Sequence, residues 1–110
     1  MLKNWKSLTT QTFTDEIKKA KGLSVVFFWG DGCSSCKTAE SDLHQIDDLF
    51  VEHAITRFSV DAKQDAELAA DFGLASIPSF LFFKAGQPIN KFNGYPGVGE
   101  LRTAIISQLL

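Results

Sequence analysis

Cys33-Ser34-Ser35-Cys36, directly after Gly30-Asp31-Gly32, is the segment of this chain best suited to chemistry, because it holds two thiols three positions apart. Placed where an apolar run ends and a helical pattern begins, the two sulfurs have different surroundings. Cys33 stands at the helix start, where unpaired backbone N–H groups and the positive end of the helix dipole stabilise a thiolate relative to a thiol. Cys36 lies inside the first turn, within reach of Cys33 but directed toward the interior. The outer sulfur is then the nucleophile and the inner one resolves. Attack by Cys33 on a disulfide gives a mixed disulfide, and Cys36 displaces the reduced product to leave a Cys33–Cys36 bond. Two other readings use the same pair. A zinc half-site needs two further N or S ligands, and the only histidines, His44 and His53, lie on or beyond the helix, away from its N-terminus. The other is an inert thiol pair or a fixed structural disulfide, although so short a loop restrains the unfolded chain little.

The elements that must position this pair are read from periodicity. Leu23 to Trp29, a continuous apolar run rich in Val and Phe, suits a central strand covered on both faces. Past the Gly30 to Gly32 bend, Cys36, Ala39, Leu43, Ile46 and Phe50 form one stripe of a long helix running to about residue 50. Upstream, Phe13, Ile17 and Ala20 mark a first helix over about 10–21, closed by Lys18, Lys19, Lys21 and Gly22. A weak strand over Trp5 to Leu8 precedes it. Ile55 to Val60 is a further strand, and Asp65 to Phe72 a short helix stopped by Gly73. Phe80 to Phe83 and Ile89 to Phe92 flank Lys84-Ala85-Gly86-Gln87-Pro88 as a hairpin. A last helix is expected to bury Val98, Leu101, Ile105, Leu109 and Ile106. The order β-α-β-α-β-α-β-β-α predicts an α/β chain with parallel crossovers, one antiparallel edge and helices on both faces of its sheet.

The 110 residues include 11 Lys+Arg and 13 Asp+Glu, a formal charge of -2, with 45% hydrophobic residues and ten Phe. One domain over residues 1–110 is expected, long enough to bury a core without staples. Two adjacent cysteines are not the dense disulfide framework of small secreted domains. No basic block beyond Lys18-Lys19 marks a surface for nucleic acid or an anionic membrane. The longest apolar stretch, Val25 to Trp29, is far short of the roughly 20 residues of a membrane helix. Met1 to Thr10 carries Lys3, Asn4 and Lys6 without the apolar core of a secretory signal, so a cytoplasmic location is expected. Proteins or small molecules are the expected partners. No G-x-G-x-x-G follows a strand, so no nicotinamide or flavin is expected, and no metal; the two cysteines are the redox group.

Several motifs fall in one familiar order: Phe28-Trp29 ahead of Cys33-x-x-Cys36-Lys37, Val60-Asp61 closing a strand, and Phe72-Gly73-Leu74 before Ile77-Pro78-Ser79. Phe80-Leu81-Phe82-Phe83-Lys84-Ala85-Gly86 and Gly94 follow. Over essentially its whole length the chain resembles the thioredoxin family. The resemblance implies the thioredoxin fold, a central mixed sheet of four or five strands flanked by four helices. It also implies reduction of protein disulfides through Cys33 and Cys36, with electrons from a thioredoxin reductase or an equivalent donor. A monomer is expected. By the same resemblance Pro78 is a cis-proline facing the cysteines, and the backbone of Ile77 pairs with an extended substrate segment, a short β-augmentation. Gly94, with Asn93 and Tyr95, forms the facing loop of the substrate groove. Trp29 packs beside the disulfide, and Gly32 is part of the groove surface.

Four substitutions, one of them with a companion change at Arg57, depart from the family pattern. Ser34-Ser35 replaces the usual Gly-Pro, loosening the helix start and adding hydroxyls near the sulfur; the potential can move either way, by about 30 mV for each 1.4 kcal/mol. Phe27 stands where the family has a buried Asp beneath the inner cysteine, which removes a general base for Cys36 and predicts slower resolution. Arg57, where the family commonly has Lys, loses that partner and is expected to turn to solvent. Gly32 replaces a Trp before the first cysteine and removes contact surface. Glu40-Ser41 replaces a kinking proline, so the long helix is expected to be straighter. These departures keep two alternatives beside disulfide reduction. One is a non-catalytic thioredoxin-fold module that senses redox state or binds a partner; the other is a more oxidising disulfide oxidase or isomerase.

Overall fold

A computed structural model describes residues 2–110. Among them the elements run β1 (Lys6–Leu8), α1 (Phe13–Lys19), β2 (Leu23–Trp29), α2 (Ser34–His44), α3 (Asp47–Glu52), β3 (Thr56–Asp61), α4 (Ala66–Asp71), β4 (Ser79–Lys84), β5 (Gln87–Phe92) and α5 (Val98–Leu109). They build one 5-stranded mixed sheet of order β1-β3-β2-β4-β5. β3 pairs parallel with β1 and β2, whereas β4 is antiparallel to both β2 and β5. The α/β order and the mixed sheet are those expected, with five helices in place of four.

β2 takes the central position because, Ser24 apart, its residues are all apolar. Its alternating side chains enter two separate cores. Val25 and Phe27 join Ala39, Leu43, Leu49, Phe50, Leu101 and Ile105 on the face covered by α2, α3 and α5. Val26 and Phe28 join Phe13, Ile17, Leu68 and Ala69 on the face covered by α1 and α4. In the first core the aromatic rings form a column. Trp5 meets Phe50 edge-on at 5.4 Å and Phe27 at 6.2 Å, Phe27 stacks on Phe80 at 5.2 Å, and Phe80 lies 6.0 Å from Tyr95. Offset stacks and edge contacts at these separations add to the burial of apolar surface.

The structure differs from the sequence reading in four places. The long helix is two helices: α2 runs continuously through Glu40-Ser41 and stops at His44, and α3 starts at Asp47. Gln45 and Ile46 N–H groups bond back to Asp42 and Leu43 carbonyls, three residues away, which tightens and ends α2. Ile46 and Phe50 stay buried, as the stripe required, and Leu49 joins them. Asp47 and Asp48 then occupy the first turn of α3, where the helix dipole favours acid. In the hairpin, Ala85 and Gly86 both adopt positive φ, at 51° and 80°, a two-residue turn that lets β5 begin at Gln87. Pro88 therefore lies within β5, which is tolerable because β5 is an edge strand. Ile106 is 41% exposed, since Leu101 and Ile105 already hold the inward face of α5. Arg57 does not turn to solvent. Its guanidinium lies over the Phe50 ring at 5.5 Å, a cation–π contact, and its Nη1 is buried.

Phe27 is the member of the aromatic column shared by Trp5 and Phe80, so truncation opens a cavity in a packed core. Phe27→Ala is expected to lower the stability by about 3–5 kcal/mol, read as a shift in the urea midpoint at unchanged slope.

Candidate active site

The topology brings four loops to one edge of the sheet. β2 and β3 run parallel and both end there, at Trp29 and Asp61, whereas antiparallel β4 starts there at Ser79 and β5 ends there at Phe92. The Gly30 to Cys33 loop, the segment after Asp61, the segment before Ser79 and the segment after Phe92 are therefore neighbours despite their distance in sequence.

Cys33 is the N-cap of α2, and its Sγ accepts a hydrogen bond from the Cys36 N–H at 3.1 Å. Its carbonyl accepts the Lys37 N–H at 3.3 Å, the first bond of the helix ladder. A sulfur in this position takes up one of the four N–H groups that a helix start leaves unpaired. Cys33 and Cys36 are joined as a disulfide, with Cα atoms 5.2 Å apart. Cys33 is half-buried, while Cys36 is only 4% exposed and packs inward with Ala39 and Leu43. His44 ends α2 and contacts Asp47 at 3.4 Å, roughly 16 Å along the helix from Cys33.

The remaining residues singled out from sequence divide between the groove and the core. The Ile77–Pro78 peptide is cis. A methyl added to Gly30 would lie 2.7 Å from Ile77 Cδ1 and 3.2 Å from Lys63 Cγ and Cε. The Ile77 side chain thus lies against the loop that leads to Cys33, and a larger residue at position 30 would have to displace the Ile77 side chain. Gly94 has φ of 119°, a conformation that favours glycine, and its N–H donates to Ser79 Oγ at 3.2 Å. Gly32 is exposed, with open space around its Cα. Trp29 is half-buried against the first core, and its indole N–H has no acceptor among the described residues.

A family model described as Thioredoxin matches residues 4–107. The chain belongs to the thioredoxin family. It is 32% identical over 103 residues to a thioredoxin of Staphylococcus saprophyticus, covering 93% of this chain and 95% of the relative. A thioredoxin of Mycobacterium bovis is 29% identical over 96 residues (86% and 80%), and one of Malassezia sympodialis 29% over 83 residues (73% and 79%). Family and cysteine pair together make this chain a thiol–disulfide oxidoreductase acting on protein disulfides. Phe27, buried in β2, stacks on Phe80 beneath this end of the sheet. Among the described residues no three His, Cys, Asp or Glu side chains gather as a metal site.

Three polar residues that organise this thioredoxin edge were not legible as such in the sequence. Lys63 Nζ donates to the Asp31 carbonyl, pinning the loop before Cys33. Ser79, buried at the start of β4 ahead of four apolar residues, donates its hydroxyl to the Ser76 carbonyl. Asp42 Oδ2 accepts the Tyr95 hydroxyl at 2.6 Å and so ties the Gly94 loop to α2. The one available signal was Ser79 itself, a lone serine ahead of a run of Phe and Leu.

Burial, and then the bond and charge of Asp42, push the Tyr95 phenol well above its ordinary value. The folded state keeps this proton after the unfolded chain has lost it, so stability falls as pH rises beyond about 10. Tyr95 is the only tyrosine, and absorbance at 295 nm therefore reports it alone. The expected result is little tyrosinate at pH 10.5 in the folded protein and a downward shift of the midpoint in Asp42→Asn.

Proposed function

We propose that this chain is a reductant of protein disulfides, with Cys33 as nucleophile and Cys36 as resolving thiol. The observation that carries the reading is the asymmetry of the pair: a half-exposed sulfur capped by a helix N–H, and a buried sulfur one turn inside. In the dithiol form that same N–H favours a Cys33 thiolate. The thiolate attacks one sulfur of a substrate disulfide, the substrate S–S bond breaks, and the departing thiolate takes up a proton. Cys36 then gives up its proton and attacks Cys33 Sγ, releasing the second substrate thiol. Two electrons pass to the substrate, and the Cys33–Cys36 disulfide remains. A thioredoxin reductase or an equivalent dithiol donor restores the reduced pair, and no cofactor beyond the disulfide takes part.

In this proposal the substrate segment lies extended along Ile77, beside Pro78, with Gly94 on the other side and Trp29 and Gly32 flanking the sulfurs. The supporting contacts are the approach of Ile77 to Gly30 and the bond from Gly94 to Ser79. An open surface at Gly32 suits a broad or loosely held set of protein partners. The unit acts as one domain over residues 1–110, as a monomer, and as an electron carrier in the cytoplasm, where glutathione and related systems keep dithiols reduced. No helix of the described residues is long and apolar enough to cross a membrane.

An equilibrium titration of Cys33/Cys36 against a thiol couple, read by alkylation and mass, tests the direction. A single two-electron transition near about -270 mV is expected, whereas a value above about -200 mV would assign the chain to oxidation or isomerisation. Cys36→Ser is expected to accumulate mixed disulfides at Cys33 with protein substrates. A variant that traps none would point to a binding module instead.

A further inference from the structure

Asn93 makes four hydrogen bonds, all into the segment that precedes the cis peptide. Its Oδ1 accepts from Ala75 N–H at 3.1 Å, Ser76 N–H at 3.3 Å and Ser76 Oγ at 3.2 Å, and its Nδ2 donates to the Gly73 carbonyl at 3.4 Å. Residues 74–78 belong to no helix or strand, so no ladder holds their backbone. Apart from the Leu74 N–H, which donates to the Ala69 carbonyl at 3.0 Å, what orders them is side chains. Ser79 closes the same structure from below, donating to the Ser76 carbonyl and accepting the Gly94 N–H at 3.2 Å. The amide of Asn93 is suited to the task because it combines an acceptor oxygen with a donor nitrogen.

We propose that Asn93 is a positioning residue for protein substrates: it fixes the backbone of Ala75 and Ser76 so that Ile77 meets an extended, disulfide-bearing segment in one conformation. This rests on the reading of the groove given above. A loop already ordered before binding does not subtract its ordering entropy from the affinity. The benefit reaches only substrates that lie along Ile77. A small disulfide that touches Cys33 alone gains nothing from it, and Asn93 has no hydrogen bond to either cysteine, so the potential of the pair is independent of it.

The test uses the intact chain with insulin as the protein disulfide, dithiothreitol as donor, and 5,5′-dithiobis(2-nitrobenzoate) as the small disulfide. Asn93→Ala is expected to raise KM for insulin by about tenfold, the size of one or two lost hydrogen bonds. Its kcat, its rate with the small disulfide and its equilibrium with glutathione are expected to stay at wild-type values. Asn93→Asp, which keeps the acceptor, is expected to retain a KM within about threefold of wild type. Three results would overturn the assignment: an unchanged KM in Asn93→Ala, an equal loss toward both disulfides, or Asn93→Asp as impaired as Asn93→Ala. A wild-type chain that reacts with the small disulfide but leaves insulin intact would instead overturn the groove itself, and the role of Asn93 with it.

Discussion

A helix begins with N–H groups that have no partner in the helix, and here the sulfur of Cys33 supplies a partner for one of them. That single contact ties redox chemistry to backbone geometry. It requires the chain to leave the sheet at Trp29, reverse within the three residues 30–32, and enter α2 with Cys33 at the cap. Gly32 makes the reversal with φ of 73°, and Gly30 allows Ile77 to close over the loop. Lys63, just past the end of β3, holds the Asp31 carbonyl. The unequal burial of the two sulfurs is a consequence, because the turn that exposes residue 33 directs residue 36 toward Ala39, Leu43 and the core.

A cap of this kind is only as rigid as the strand that delivers it. β2 is buried on both faces and paired on both edges, parallel to β3 and antiparallel to β4. The column from Phe50 through Trp5, Phe27 and Phe80 to Tyr95 runs beneath α2 and links the lower core to the groove. Phe27 contributes packing here, its ring stacked on Phe80, and Arg57 lies over the ring of Phe50. The core on this face of the sheet is hydrocarbon.

The loops beside the cysteine pair at this end of the sheet are irregular backbone, and polar side chains hold them. Asn93 and Ser79 fasten the segment before Pro78, and Tyr95 fastens the next loop to Asp42. The bonds of Asn93 and Tyr95 join a loop to a distant element or to another loop, while that of Ser79 ties the start of β4 to the loop just before it. The effect is a set of surfaces that converge on one sheet edge because four strand ends converge there.

Much of this was legible in one dimension. Leu23 to Trp29 could be read as the central strand because an unbroken apolar run leaves no face for water, and the Cys36 to Phe50 stripe was right in every buried residue. The break at Gln45-Ile46 was hidden by that same stripe: two helices that curve around one core keep nearly the periodicity of a single helix, and only Asp47-Asp48 signals a second start. Arg57 was misread because a charge beside a missing partner looks solvent-bound until Phe50 is seen across from it. The amino-acid sequence alone determined the order of strands and helices apart from the break between α2 and α3, the two-faced burial of β2, and the asymmetric thiols at a helix start, since each depends on residues a few positions apart. Only the tertiary structure decided which side chains close the site. Tyr95 and Asp42 are 53 positions apart and Asn93 and Ser76 are 17, and hydrogen bonds over such separations exist only once the sheet has set its strand ends side by side.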